Sequence, residues 1–153
     1  MGLRSGGSHG VGRCDERTAY YGSVEALHAL DLETGDPLWS FRTRSMTAFF
    51  PTPALHGTLV LAGSMDGALY AVEVSTGEER WRFQTASYIE HAVRVVDDLL
   101  LLRSRDGHIY ALDAETGSER WHFDTRTPWG SNPTAGPGVV LFASDDGFLT
   151  ALE

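Results

Sequence analysis

The side chains that could do chemistry in this 153-residue chain are six histidines, one cysteine and a set of recurring acids. Histidine ligands of a metal usually stand close together on one element, but the sequence contains no HxH or HxxxH pair. His28, His108 and His122 occupy positions that other residue types hold in neighbouring copies of a repeat, so we interpret them as substitutions on a scaffold. Cys14 alone can form neither an intrachain disulfide nor a CxxC zinc site. The sequence therefore predicts no metal site and no disulfide.

The acidic residues favour turns over catalysis. Asp31, Glu73 and Asp113 recur once per repeat, so a catalytic carboxylate pair built from them would have to be repeated as well. We interpret them as hydrogen-bonding groups at turns and strand ends. The pairs Asp97-Asp98 and Asp145-Asp146 lack the spaced acids of a calcium loop and predict hairpin tips. The sequence thus predicts no catalytic residue and no cofactor.

Three loops that carry aromatic residues are better candidates for function. Each loop holds an aromatic side chain a few residues before the innermost strand of a repeat, with polar residues close by. Exposed aromatic groups mark contact surfaces, and the alternative is that these rings fill gaps between repeats. The candidate partner or ligand face comprises Phe49, Phe50, Thr52, Tyr88, Glu90, Trp129 and Asn132.

The overall composition excludes several classes of protein. Hydrophobic residues make up 42% of the chain, which is enough for a packed core. The net charge is -9 and all twelve cationic side chains are arginines, so we expect no nucleic-acid partner. No apolar run is long enough to span a membrane, and the first fifteen residues contain no apolar segment typical of a signal peptide. The composition leaves the cellular compartment open.

An internal repeat dominates the chain. The segment ALDLETGDPLW (29–39) recurs as AVEVSTGEERW (71–81) and as ALDAETGSERW (111–121). The three tryptophans are spaced by 42 and 40 residues, and a fourth copy begins at Ala151. A period of about 40 residues is typical of arrays built from one supersecondary unit.

Each repeat predicts four short strands. An apolar run of four or five residues, too short for a helix, predicts a strand that is covered on both faces. An Asp-Gly pair follows each run and suits a tight hairpin, because glycine accepts a positive φ. A second strand, a Thr-Gly turn and a third strand come next; in the third strand Trp and Phe share one face, and Ser40, Arg82 and His122 take the other. A weaker strand precedes each apolar run, around residues 53–55, 91–95 and 133–136.

Four antiparallel strands per repeat predict the blades of a β-propeller. The fold class is all-β, a partial propeller of about three and a half four-stranded blades with fourteen strands. The predicted units cover about 17–47, 48–86, 87–127 and an incomplete 128–153. Residues 1–16 are rich in glycine and serine and predict a flexible leader.

The pattern A-x-[DE]-x-x-T-G-x-x-x-W resembles the tryptophan-docking motif of the PQQ-type (quinoprotein-like) β-propeller repeat family, where PQQ is pyrroloquinoline quinone. The resemblance implies that the tryptophan of one blade packs against the alanine and the Thr-Gly turn of the next blade. Members of this family are often extracytoplasmic. The resemblance assigns the docking role to Trp39, Trp81, Trp121, Gly35, Gly77 and Gly117.

The resemblance also frames the function. Catalytic members of the family use PQQ, usually a Ca²⁺ held by acidic and amide groups, a catalytic aspartate and often a pair of adjacent cysteines. This chain has one cysteine and one asparagine, Asn132. The leading hypothesis is therefore a non-catalytic binding or scaffold module, part of a larger propeller, whose partners are a protein, completing blades or a second copy. The alternatives are a fragment of a PQQ-dependent dehydrogenase and the sensor domain of a bacterial kinase.

Overall fold

The computed structural model describes residues 13–43, 51–145 and 147–152. This part of the chain contains fifteen strands and no helix. The strands form four antiparallel sheets in sequence order, three of four strands and a last one of three. The strands are β1 (Arg13–Cys14), β2 (Thr18–Gly22), β3 (Leu27–Asp31), β4 (Pro37–Phe41), β5 (Ala54–His56), β6 (Leu59–Gly63), β7 (Ala68–Glu73), β8 (Glu79–Gln84), β9 (Arg94–Val96), β10 (Leu99–Arg103), β11 (His108–Asp113), β12 (Glu119–Asp124), β13 (Thr134–Gly136), β14 (Val139–Ala143) and β15 (Leu149–Leu152).

The predicted all-β partial propeller is confirmed, with one correction at the amino-terminal end. Strand β1 pairs antiparallel with β2 and makes the first blade four-stranded. The sequence predicted Arg13–Cys14 as part of the leader and fourteen strands in all, because two residues without an apolar run give no strand pattern. Residues 1–12 of the predicted leader lie outside the described residues.

The core lies between the blades. All five residues of β6 are buried, as expected for an apolar run covered on both faces. Leu61 and Leu69 pack towards the third blade, whereas Val60 and Val72 pack towards the first. Burying side chains of this size contributes roughly 1.5–3 kcal/mol each. Because apolar groups of adjacent blades pack together at all three junctions, the stacked sheets hold their loops at fixed positions.

The loop between the second and third strand of a blade is held by an aspartate. Ser64 to Gly67 form a four-residue loop in which the Asp66 carboxylate accepts hydrogen bonds from the Ala68 amide at 3.0 Å and the Tyr70 hydroxyl at 2.7 Å. Burial, followed by the bond to Asp66, raises the pKa of Tyr70. The third blade repeats this arrangement with Asp106, His108 and Tyr110.

Two tryptophans fasten neighbouring blades. The Trp39 indole donates a hydrogen bond to the Val74 carbonyl at 2.8 Å. A Cβ on Gly77, whose φ is +74°, would lie 2.7 Å from the Trp39 ring, so a larger residue would displace the indole. The partly buried indole adds apolar contact area to its hydrogen bond. Trp81 docks in the same way on the third blade.

Candidate partner-binding face

Two kinds of loop meet at one end of the blades. Because the strands alternate in direction, the loop that leaves the outer strand lies at the same end as the loop between the second and third strands. Arg105 lies in the loop between the second and third strands of the third blade, and Tyr88 lies in the loop that leaves the outer strand of the second blade. The Arg105 amide donates a hydrogen bond to the Tyr88 carbonyl at 2.9 Å. The Ile89 amide bonds to the Ser64 carbonyl at 3.2 Å. These main-chain bonds tie the loop of Tyr88 and Ile89 to the second and third blades.

We name four residues at this end of the blades the aromatic-arginine cluster: Tyr88, Glu90, Arg105 and Trp129. Arg105 contacts Glu90 and Trp129 through its side chain and Tyr88 through its main-chain amide. Tyr88 and Trp129 are 45% and 50% exposed. The Arg105 guanidinium carbon lies 4.0 Å from the centre of the Trp129 ring, and its Nε donates to the Glu90 carboxylate. A cation over an indole and a charge-assisted hydrogen bond both restrict the arginine. The cluster therefore presents aromatic surface and a polar group in a fixed arrangement.

A buried arginine supports the cluster from below. Arg103 is only 2% exposed, and its Nη2 donates to the carbonyls of Thr127 and Trp129. Its Nε and Nη1 have no hydrogen-bond partner, and burial lowers the pKa of Arg103. Gly130 makes room for it, since a Cβ there would lie 2.9 Å from Nη2. Arg103 therefore holds the main chain on which Trp129 is mounted.

Thr52 and Asn132 belong to a different place. They line a cavity of about 300 Å³ beside the innermost strands, together with Arg13 and Arg94. Asn132 donates to the Ala92 carbonyl at 3.2 Å, and its Oδ1 has no hydrogen-bond partner. The structure thus divides the predicted face into the cluster and this inner cavity. Phe49 and Phe50 lie outside the described residues.

Neither arginine was predicted from the sequence. Arg105 stands in the second position of the loop SRDG, where the other copies read SMDG and SDDG. Comparing the three loops shows that their second residue varies while the others stay the same. This variation is the feature of the sequence that could have identified Arg105 as a candidate. Arg103 ends the run LLLLR at the position where the preceding copy of the repeat has Gly63. In that copy the space beside Gly63, where a side chain would stand, is filled by Ile89.

The remaining polar candidates have local roles. Asp113 Oδ1 accepts a hydrogen bond from the Thr116 amide at 3.0 Å, which shapes the Thr-Gly turn. The side-chain bond from Arg120, followed by the bonds from Thr116, lowers the pKa of Asp113 to about 2. His28 is held between the hydroxyls of Ser23 and Ser40 at 3.0 and 2.8 Å. These groups build turns and sheets.

The side chains present do not match the Ca²⁺ site of quinoprotein dehydrogenases. Within residues 13–43, 51–145 and 147–152, no group of three histidine, cysteine, aspartate or glutamate side chains could hold a metal ion. The wall of the inner cavity contains two arginines and no acid. A hard cation needs several oxygen ligands, so these residues do not fit it. In the same ranges the structure contains no helix long and apolar enough to cross a lipid bilayer.

Comparisons with known proteins agree on the fold. A family profile described as outer membrane protein assembly factor BamB matches residues 3–88 and 23–153. BamB from Moraxella catarrhalis has a similar structure, with a TM-score of 0.78 and 23% identity over 94% of this chain and 46% of that chain. The computationally designed protein Ika4 gives a TM-score of 0.83 and 17% identity, covering 99% of this chain and 98% of its own.

A third similar structure is an enzyme. Quinohemoprotein alcohol dehydrogenase from Comamonas testosteroni gives a TM-score of 0.68 and 24% identity, over 76% of this chain and 21% of that chain. This chain therefore spans less than half the length of BamB from Moraxella catarrhalis and about a fifth of the dehydrogenase. Comparison with the sequences of curated proteins gives no significant match.

Proposed function

Because this chain belongs to the PQQ-type propeller family described as outer membrane protein assembly factor BamB, we propose that it is a non-catalytic module that binds a protein partner. The aromatic-arginine cluster is the contact surface. Tyrosine, tryptophan and arginine are the residue types that contribute most to binding at protein interfaces. Arg105 packs over the Trp129 ring and its amide bonds to the Tyr88 carbonyl, so the cluster contains all three residue types at one end of the blades.

The position of Arg105 is the observation that carries this proposal. It contacts the Trp129 ring and the Glu90 carboxylate at once, so the three side chains are ordered before any partner arrives. Ordering groups in advance removes part of the entropy cost of association. A surface with two half-exposed aromatic residues suits a folded protein better than a small molecule, which prefers a concave pocket.

The family supports the choice of partner class. Its description names an assembly factor for outer membrane proteins, so the first partner to test is the outer-membrane protein assembly machinery of the same organism. The dehydrogenase alternative rests on likeness of fold, and fold alone carries no activity. The described residues offer Ca²⁺ no ligand set, which favours the binding module. No observation favours the kinase sensor domain.

The experiment measures binding of the purified chain to the purified assembly machinery by biolayer interferometry. We expect Tyr88→Ala and Trp129→Ala each to weaken binding at least tenfold, with the melting temperature within a few degrees of wild type. Leu38→Ala is the matched control, because Leu38 is an exposed apolar residue on the outer strand of the first blade. Unchanged binding in the cluster variants would overturn the proposal, because the contact would then lie elsewhere on the chain. Unfolding of the variants would overturn it in favour of packing between blades.

A further inference from the structure

Two histidines lie side by side on the outer strands of the third blade. His108 begins β11, and His122 lies within β12, which pairs with β11. The register sets Tyr110 opposite His122, so His108 is the diagonal neighbour of His122 on the same face of the sheet. The two ring centres are 5.6 Å apart, with the ring planes at 74°. The fold therefore brings together two side chains that are good metal ligands and that share no short motif in the sequence.

A carboxylate holds each of the two rings by its Nδ1 atom. His108 Nδ1 lies 3.2 Å from Asp106 Oδ1, and His122 Nδ1 lies 2.7 Å from Glu119 Oε1. A neutral imidazole that donates its Nδ1 hydrogen to a carboxylate keeps the lone pair of Nε2 for another partner. The described residues give neither Nε2 atom a hydrogen bond. Metal-binding histidines are oriented in this way, with a carboxylate on the nitrogen that does not bind the ion.

The distance between the rings suits one shared ion. An imidazole nitrogen lies about 2.0–2.1 Å from a bound zinc ion, so two imidazoles on one ion have ring centres roughly 5–6 Å apart. The observed separation of 5.6 Å falls within this range. The side chains of His108 and His122 are 32% and 55% exposed, so an ion can reach them from solvent. The two carboxylates and the net charge of -9 attract a cation to this place.

The repeat itself does not require the two histidines. The second and third blades share the scaffold around them, because Tyr70 and Tyr110 make the same bond to the aspartate of their loop. The positions equivalent to His108 and His122 hold Ala26 and Ser40 in the first blade, and Ala68 and Arg82 in the second. The histidine pair is therefore an addition to a blade that forms without it.

We propose that His108 and His122 bind one divalent transition-metal ion through their Nε2 atoms. Zn²⁺ and Cu²⁺ are the ions that imidazole ligands suit best. Asp106 and Glu119 are positioning residues that orient the two rings. Among the described residues no third histidine, cysteine or carboxylate joins the group, so water completes the coordination. The site uses no residue of the aromatic-arginine cluster and does not depend on the proposed function.

The first experiment titrates Zn²⁺ into the full chain by calorimetry, in a buffer that does not chelate the ion. We expect one ion per chain, with binding weakened at least tenfold in His108→Ala and in His122→Ala. The matched control is His91→Ala, which removes an exposed histidine and should bind Zn²⁺ as wild type does. No binding by the wild type, or equal binding by the three variants, would overturn the proposal. One ion per two chains would overturn it in favour of an ion shared between copies.

The second experiment uses Cu²⁺ and needs no variant for its main result. We expect electron paramagnetic resonance of the wild type to show hyperfine coupling to two imidazole nitrogens, and that of His122→Ala to show coupling to one. Coupling to a single nitrogen in the wild type would overturn the proposal.

The role of the carboxylates is tested with Glu119→Gln. This substitution should weaken Zn²⁺ binding about tenfold while leaving both coupled nitrogens in the Cu²⁺ spectrum. The control is Glu33→Gln, which changes an exposed glutamate and should leave binding unchanged. Equal binding by these two variants would overturn the positioning role of Glu119.

Discussion

Arg103 donates a hydrogen bond to the main-chain carbonyl of Trp129, so a fully buried cation holds the loop that displays a half-exposed indole. The two residues are 26 positions apart: Arg103 ends strand β10 of the third blade, and Trp129 lies in the loop that leads from the third blade to the fourth. A buried arginine is costly unless its donors are used, and here only one of the three nitrogens has partners. The bonds from its Nη2 to the Thr127 and Trp129 carbonyls show what this buried arginine does: it maintains the geometry of the loop.

Removing this arginine should destabilise the protein. Arg103→Ala leaves the Trp129 carbonyl without its donor and opens a cavity, so we expect the free energy of unfolding to fall by about 3 kcal/mol. Urea denaturation measures the change. Arg80→Ala removes an exposed arginine and should shift stability by no more than about 0.5 kcal/mol. Equal effects of the two substitutions would contradict the supporting role.

The docking tryptophans should differ in their contribution to stability. Trp81→Ala removes a docked indole and its bond to Glu115, and it should cost about 3–5 kcal/mol. Trp121→Ala should cost clearly less, because its indole borders an open cleft. Chemical denaturation of the two variants side by side tests this order. A larger loss for Trp121→Ala would show that docking is not what stabilises the blades.

The Asp106 carboxylate should make stability sensitive to acid. Burial raises the pKa of Asp106, but hydrogen bonds from the Tyr110 hydroxyl and the amides of His108 and Ala86 together lower it below its ordinary value. The unfolded chain therefore takes up the proton more readily, so this stabilisation is present above the unfolded pKa and is lost as pH falls through the folded pKa.

We expect the urea midpoint of the wild type to decrease between about pH 5 and pH 2, and this acid limb to be flatter in Asp106→Asn. The control is Asp36→Asn, which changes an exposed aspartate and should follow the wild-type curve. If the urea midpoint of Asp106→Asn falls with pH as steeply as that of the wild type, Asp106 is not the origin of the acid sensitivity.

The two end blades should bring copies of the chain together. Leu149 on the fourth blade and Leu32 on the first are at least half exposed, although their equivalents at inner junctions, Leu69 and Ala114, are fully buried. The chain covers 46% of BamB from Moraxella catarrhalis, so two copies stacked head to tail would span almost a whole ring of that size. A heterologous contact closes when the rotation permits it.

Light scattering should therefore report a mass of twice 16.7 kDa at micromolar concentration. Leu149→Glu should shift the protein towards the monomer. Leu38→Glu should not, because Arg80 and Arg120 at the equivalent positions stay exposed even with a blade on that side. A wild-type protein that remains monomeric would contradict this expectation.

Adding PQQ with Ca²⁺ should leave the chain unchanged. The wall of the inner cavity gives the cation no carboxylate ligand, so we expect no shift in melting temperature and no dye-linked oxidation of alcohols or sugars. Thermal denaturation with and without the additions, alongside Ca²⁺ alone, provides the measurement. Activity above background would reinstate the dehydrogenase alternative.

The sequence predicted the blades well because their determinants are local and repeated. Runs such as LVLAG and the Thr-Gly turns recur at a fixed period, so each copy supports the interpretation of the others. Strand β1 was not predicted, because two residues are too few to show the alternation of a strand. The contact between Arg105 and Trp129 was not predicted either, because the residues of the two loops follow no sequence pattern. The two side chains meet only when the sheets have stacked.

The docking of Trp39 on Val74 and of Trp81 on Glu115 spans 35 and 34 residues, always towards the carboxyl terminus. During synthesis on a ribosome, the indole therefore emerges before the turn that receives it. The indole of a blade can dock only after the Thr-Gly turn of the following blade has left the exit tunnel. We infer that the nascent chain acquires its structure in steps of about one repeat, from the first blade onward.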